Sequence, residues 1–503
     1  MTQVITSIAL AVYVAAMLGI GLYCRRSAKS LNGFLLGGRS VGPWISAFAY
    51  GTSYFSAVIF IGYAGMHGWN IGVGSMWIGI GNAVIGCLAA WLLLAKPTRR
   101  MTQKLDASTM PEFFCKRYQS TGLKVYAAVI IFVFLVPYAA GVYKGLGTLF
   151  SAVFPGVSEK VIMLLVAVLS AVGLFLGGYM VTAVTDFVQG IIMVAGITAM
   201  IIAVVVRPEV GGLAEGFRRL QAIDPELVNL AGGKSFGMLS VNIALTSFGV
   251  WGLPQMVHKY YAIKDEKSVR PATVIATAFA LLIGVGAYLV GCFGRLFVPA
   301  TPAGLPDLPG GYDAVVPHIL TSVLSGNVLL TVLLAVILLL LLSASMSTLS
   351  SLVLSSSSAI AVDLMGVAKP AVKEKNQMLL MRILCLVFVA LSYLFATMNI
   401  SFIVNLMSFS WGIVAGCFIG PFLWGLYSKK ITKAGAWAGA LSGLAVVLGM
   451  VLVKTLTADF AAAKSLAPTY GVIAMAVSVA IVPLVSLFTK GFSESHLDDC
   501  FAP

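Results

Sequence analysis

Long apolar runs alternate along this chain with short polar connectors rich in Lys and Arg. Runs of about 20 mostly apolar residues, the length a helix needs to cross a bilayer, recur thirteen times. They fall at roughly 4–23, 44–66, 71–95, 125–149, 161–178, 186–206, 236–257, 271–296, 328–354, 379–397, 400–427, 434–453 and 469–487. The pattern predicts an all-α polytopic membrane protein of about 13 transmembrane helices. The first run, Val4 to Tyr23, has no basic stretch before it and no small-residue cleavage site after it, so it reads as a spanning helix rather than a signal peptide.

Two runs are interrupted. The second reads Ala49-Tyr50-Gly51-Thr52-Ser53-Tyr54-Phe55-Ser56, a glycine- and hydroxyl-rich centre between apolar halves. The seventh reads Phe248-Gly249-Val250-Trp251-Gly252-Leu253-Pro254-Gln255, where two glycines and a proline break the helix. The breaks stand five spans apart. Because five is odd, a five-helix unit and its successor enter the membrane from opposite sides. Matched broken helices in two such halves point to a transporter with a midplane site. Glycine and proline are also common in membrane helices generally, but their matched positions favour the transporter. The expected organisation is a single transmembrane domain over 1–503. An extra helix lies in 1–40, a first repeat in 41–206, a second in 236–430, and C-terminal helices with a short tail in 431–503.

The ninth run ends in Ser343-Ala344-Ser345-Met346-Ser347-Thr348-Leu349-Ser350-Ser351. Hydroxyls at membrane depth need partners within the protein or a wet cavity. Ala344, Ser347 and Thr348 stand at i, i+3 and i+4 and share one helical face. Two hydroxyls and a free carbonyl there can make half of a hard-cation site. Packing against another helix, with the hydroxyls bonded to their own i−4 carbonyls, competes.

Composition strengthens the membrane reading. Hydrophobic residues make up 59% of 503 and charged residues only 10%, where soluble domains carry about 25% charge; mean hydropathy is +0.99. The net charge of +14 belongs to loops that face anionic lipid; no nucleic-acid motif accompanies it. With the N-terminus outside, the inward segments hold 23 of the 32 basic residues: Arg25, Arg26, Lys29 and Arg39; Lys96, Arg99, Arg100, Lys104, Lys116, Arg117 and Lys124; Lys259, Lys264, Lys267 and Arg270; Lys369, Lys373, Lys375 and Arg382; Lys429, Lys430 and Lys433; and Lys490. This alternation predicts a multi-pass protein of the plasma (inner) membrane, N-terminus outside and C-terminus cytoplasmic. The seven cysteines form no CxxC pair and the four histidines are scattered, so neither a disulfide framework nor a transition-metal site is expected. No Walker A motif appears, nor a His/Asp or Ser/His grouping, which argues against ATP-driven transport and against an enzyme. A channel would want rings of pore-lining groups, and a sensor an appended soluble domain; neither is visible.

Several further pieces carry a resemblance. They are Gly37-Gly38-Arg39-Ser40-Val41-Gly42-Pro43, Gly177-Gly178 followed by Thr185-Asp186-Phe187-Val188-Gln189-Gly190, Gly252-Leu253-Pro254, and Met346-Ser347-Thr348-Leu349-Ser350. In this order, on this pattern of spans, the chain resembles the sodium:solute symporter family, which includes proline, pantothenate, acetate and sugar carriers. The resemblance implies the 5+5 inverted-repeat fold of the leucine transporter, with one helix added in front and two behind. It implies sodium as the coupling ion, with no other cofactor, and a small-molecule solute as partner alongside membrane lipid. The family's sodium ligands map onto the carbonyls of Thr52, Phe55 and Ala344 and the hydroxyls of Ser347 and Thr348. Its aspartate on the sodium release route maps onto Asp186.

By the same resemblance the solute should lie between spans 2, 7, 4 and 11, near Ser56, Phe60, Tyr138, Lys144, Trp251, Gln255 and Trp411. Tyr138 matches an aromatic of the proline carrier's pocket, whereas Val58, Thr246 and Val250 replace others and Tyr54 replaces an aspartate. The stretch Phe248 to Pro254, with Lys264-Asp265, Val269, Ala222 to Val228 and Gly294-Arg295, is similar to the pantothenate carrier; Gln255 and Lys259 depart from the histidine and arginine usual at their positions. The implied solute is a carboxylate or amino acid, with a sugar or sialic acid as the alternative. Lys144, two-thirds along its span, either meets a solute carboxylate or snorkels to the interface.

Overall fold

The computed structural model describes residues 2–24, 30–324, 328–368, 374–398 and 402–501; Arg25, Arg26, Lys29, Lys369 and Lys373 lie outside them. The described chain is helical throughout, with two isolated bridges in place of any sheet. We label the elements α1 Thr2–Cys24, α2 Pro43–Tyr54, α3 Ala64–Ile71, α4 Met76–Gly81, α5 Met110–Tyr118, α6 Thr121–Val153, α7 Glu159–Val205, α8 Phe236–Gly249, α9 Pro254–Ala262, α10 Val269–Cys292, α11 Tyr312–Val323, α12 Val328–Ser358, α13 Glu374–Thr397, α14 Ile403–Tyr427, α15 Lys433–Thr457, α16 Ala467–Leu487 and α17 Glu494–Phe501.

Among the described residues, 11 helices are long and apolar enough to cross a membrane. The difference from thirteen arises at two places. The second and third expected segments share the 47-residue helical stretch Val58–Lys104, which turns at Gly72 with φ 69°. The fifth and sixth lie in the two halves of α7, also 47 residues, which breaks at Gly178 with φ 61° and ψ −155°; only the second half, Gly178–Val205, is among the 11. A side chain at Gly178 would be strained by that φ, and its Cβ would stand 2.6 Å from the Phe34 carbonyl oxygen.

Both interruptions expected from the sequence are present. Helix α2 opens with Pro43 at its first turn, where the missing N–H costs nothing. It stops at Tyr54, and Phe55 is extended (φ −105°, ψ 109°). A π-helical turn, Val58–Tyr63, then leads into α3. In the second interruption α8 ends at Gly249, Leu253 is extended (φ −85°, ψ 122°), and α9 restarts on Pro254. A two-hydrogen-bond bridge ties the ends of the broken elements together: Val41 N–H donates to Ala262 O at 3.3 Å and Lys264 N–H to Val41 O at 3.0 Å.

Helix α12 runs against α7 and α6 and meets α2 along its hydroxyl-bearing half. On the other side of the first break, α3 and α10 approach so closely that glycine is required. A Cβ on Gly68 would lie 2.2 Å from the Gly291 carbonyl carbon, and one on Gly291 would lie 2.1 Å from the Ala64 oxygen. Both obstacles are backbone, which cannot swing aside as a side chain can. Gly291→Ala is therefore expected to push the two helices apart and to destabilise the fold by about 1–3 kcal/mol, the usual range for overpacking. A lowered thermal midpoint of the detergent-solubilised protein would register it; an unchanged midpoint would contradict this packing.

Candidate functional site

The first break and the α12 hydroxyls come together. Ser347 Oγ donates to Thr52 Oγ1 at 2.7 Å, and Thr52 Oγ1 donates in turn to Phe48 O at 2.9 Å. Thr348 Oγ1 lies 3.0 Å from Ala344 O, 3.2 Å from Ser53 O and 3.4 Å from Thr52 O. Carbonyls at the end of α2 and hydroxyls on one face of α12 thus converge within hydrogen-bonding distance. Phe55 sits where the chain leaves the helix. Thr52, Phe55, Ala344, Ser347 and Thr348 are all buried. Neutral oxygens in this arrangement suit a hard monovalent cation, because the unwound backbone frees carbonyls and no ligand charge holds the ion too tightly for release.

A second buried cluster adjoins the first. Asp186, on α7, lies beside the Ser347 hydroxyl. Its carboxylate faces the Lys259 ammonium of α9 at 3.6 Å, with side-chain exposures of 0% and 1%. Lys259 Nζ also donates to Ser351 Oγ at 3.0 Å and sits 5.2 Å from the centre of the Tyr179 ring. Ser351 meets Ser53 across the break at 2.8 Å. The charge of Asp186 is therefore neutralised inside the protein, next to the oxygen cluster. Sequence reading counted Lys259 among the inward segment charges. The structure instead buries it, because α9 restarts at Pro254 and turns this face toward α7. Its signal was a lysine only five residues after a helix-restarting proline, which is ambiguous without the fold.

The seven residues expected near the solute divide. Tyr138 and Trp411 meet edge-on with ring centroids 5.8 Å apart, and Trp411 stacks on Tyr54 at 6.2 Å. The Tyr138 hydroxyl lies within reach of Ser56. Phe60 is buried on the π-helical turn after the first break. Gln255, at the start of α9, is buried with both amide atoms lacking a hydrogen-bond partner among the described residues. Most buried polar groups are satisfied, so Gln255 joins a minority of buried polar side chains here. Trp251 stands apart: its Nε1 donates to Ile85 O at 3.1 Å and its ring packs on Phe248 at 5.5 Å.

Lys144 also lies elsewhere, 3.7 Å from Asp313 of α11. Sequence reading missed Asp313, which follows a glycine-rich loop and carries no periodic signal. Burial pushes the Asp313 carboxyl up to about 6, partly offset by the Lys144 ammonium and by the Ile403 N–H that donates to Asp313 Oδ2 at 3.2 Å.

The model of the sodium:solute symporter family matches residues 34–443. The chain belongs to that family. The osmoregulated proline transporter OpuE of Bacillus subtilis (strain 168) is 31% identical over 451 residues, spanning 88% of this chain and 87% of that one. A sodium/proline symporter of Staphylococcus aureus (strain bovine RF122 / ET3-1) is 31% identical over 506 residues, 98% of this chain and 95% of that one. Among solved structures, a substrate-bound, outward-open Na+-coupled sialic acid symporter superposes with a TM-score of 0.75, at 16% identity, covering 97% of this chain and 99% of the other. Mhp1, a nucleobase-cation-symport-1 family transporter in a closed conformation, superposes with a TM-score of 0.54 at 17% identity, over 93% and 97% of the chains. These likenesses carry the fold, the 5+5 inverted repeat of the leucine transporter. The symporter is thus a multi-pass membrane protein and a sodium-coupled secondary transporter of a small solute, not an enzyme.

Proposed function

We propose that this symporter uses inward sodium flow to import an amino acid or small carboxylate by alternating access. Sodium binds the carbonyls of Thr52, Phe55 and Ala344 with the hydroxyls of Ser347 and Thr348, and leaves past Asp186. The observation that carries this reading is the convergence of the α2 break on Ser347 and Thr348. Because the ion bridges two elements from different repeats, 41–206 and 236–430, it can favour one relative arrangement of them; coupling needs just such a difference in affinity between states. The basic residues argue for an N-terminus outside, a C-terminus in the cytoplasm and thirteen crossings, if α2 with residues 58–71 crosses as one broken helix ahead of residues 76–104 and α7 crosses twice.

For the solute, Ser56, Phe60, Tyr138, Gln255 and Trp411 are the preferred residues. The proline specificity of two relatives makes L-proline the first compound to try. Reconstituted in sealed liposomes, the protein is expected to concentrate labelled L-proline or a small carboxylate under an inward sodium gradient, and Gln255→Ala to raise KM by about tenfold, equivalent to 1.4 kcal/mol. Uptake indifferent to sodium would sink the mechanism.

A further inference from the structure

Arg117 stands in the last turn of α5 and is fully buried. Its Nε donates to Gly425 O at 3.0 Å and its Nη2 to Ser428 O at 2.8 Å, both at the C-terminal end of α14. Those carbonyls carry the negative end of the helix dipole and so suit a cation. Nη1 has no hydrogen-bond partner among the described residues. The neighbouring Tyr118 hydroxyl donates to Pro421 O at 2.5 Å. Arg117 and Tyr118 thus staple α5, in the expected first repeat, to the end of α14, in the second.

Aromatic rings cover the guanidinium. Its carbon lies 5.2, 5.6 and 5.0 Å from the ring centres of Tyr118, Phe492 and Phe501, within reach of cation–π attraction. Phe492 precedes α17 and Phe501 ends it. Between them, His496 Nε2 donates to Arg117 O at 3.0 Å. Cys500 is tucked in at 2% exposure, its sulfur 3.7 Å from His496 Nε2. Glu494, Ser495, Asp498 and Asp499 are exposed. Asp498 pairs with Lys429 at 3.3 Å, between side chains 71% and 54% exposed, and such surface pairs hold weakly. Helix α17 also touches Lys96–Lys104. Lys104 and Leu105 line a cleft of about 720 Å³ together with His496 and Asp498.

We propose that residues 492–501 form a latch on the cytoplasmic end, docked on Arg117 while that end is shut and released when it opens. This rests on the alternating-access reading above. The segment joins Lys96–Lys104, α5 and α14, and the state that frees solute inward requires those ends to shift relative to one another. Eight helical residues do not hold their form alone, so α17 is folded only while its rings are seated. Weakly held elements of this kind are the ones that can move during a cycle. A carrier loaded with sodium alone must keep its cytoplasmic end shut, or sodium would pass without solute. Sodium and the docked latch therefore favour the same state, and each strengthens the other by the same factor.

The test uses the full chain in proteoliposomes, with N-ethylmaleimide as the probe and peptide mass spectrometry to read alkylation at Cys500. Replacing potassium by sodium at equal ionic strength, without solute, is expected to slow that alkylation by about fivefold or more, because Cys500 reacts only from the released segment. Phe501→Ala is expected to abolish this protection and to raise the half-saturating sodium concentration for L-proline or acetate uptake by about fivefold, although Phe501 is no part of the ion site. A tie that only stabilises the fold would lower the thermal midpoint and the maximal rate and leave half-saturating sodium where it was; that result overturns the latch. The Cys500 measurement on the unmodified chain needs no variant, should Phe501→Ala not purify. If sodium drives uptake but does not protect Cys500, the latch falls and the transport reading stands. If sodium drives uptake of neither solute, the transport reading fails and the latch falls with it.

Discussion

Thr348→Ala is expected to raise the sodium concentration for half-maximal uptake by about tenfold or more, with Ser347→Ala close behind and Thr348→Ser largely spared. The reason lies in what Thr348 touches. Its hydroxyl gathers the Ala344, Ser53 and Thr52 carbonyls at 3.0, 3.2 and 3.4 Å. At the proposed sodium site, removing it would delete one ligand and leave buried carbonyls without that donor, a loss of about 1–3 kcal/mol, and each 1.4 kcal/mol is a factor of ten in affinity. Serine keeps the oxygen and loses a methyl group. Ser343→Ala provides the contrast: Ser343 faces Tyr13 of α1, and its removal should change sodium dependence less than twofold. Sodium titrations of uptake decide this, and equal effects at Ser343 and Thr348 would turn the cluster back into a packing feature.

The second large effect falls on the Asp186–Lys259 pair. Lys259→Met leaves a carboxylate with no countercharge at 0% exposure, and Asp186→Asn leaves an ammonium in the same position. Breaking a buried pair from one side costs about 3–5 kcal/mol, whereas removing both charges is often near neutral. Each single variant is therefore expected to express poorly and unfold at markedly lower temperature. The Asp186→Asn/Lys259→Met double variant should recover most of that loss, a coupling that a double-mutant cycle measures directly. Additive losses would mean that the two groups do not neutralise each other. The recovered double variant also isolates the transport role: if Asp186 serves the release of sodium, uptake stays impaired although the fold is restored.

Much of this was legible in the chain. The apolar runs announced a helical membrane protein, and interruptions at Thr52–Ser56 and Gly249–Pro254 pointed to two broken helices, because glycine and proline weaken a helix and stand here at matched positions five spans apart. The shared face of Ala344, Ser347 and Thr348 followed from helical periodicity alone. Other residues were ambiguous for a common reason. Lys259 looked like an inward anchor, Trp251 like a pocket residue, and Lys144 like either a solute ligand or a snorkelling side chain. Each reading depended on the direction of a side chain after a break or near a helix end, and there a rotation of one residue changes the neighbour entirely.

What the sequence determined by itself was therefore the one-dimensional content: which segments are apolar enough to span, where they are interrupted, and which residues share a helical face. Those properties follow from local periodicity and backbone chemistry. The tertiary structure alone decided who meets whom. It set Thr348 against the α2 carbonyls, Lys259 against Asp186 and Lys144 against Asp313. All three pairings join residues more than 70 positions apart, so they arise only when helices of different segments pack. No local rule encodes which buried charge will find which partner.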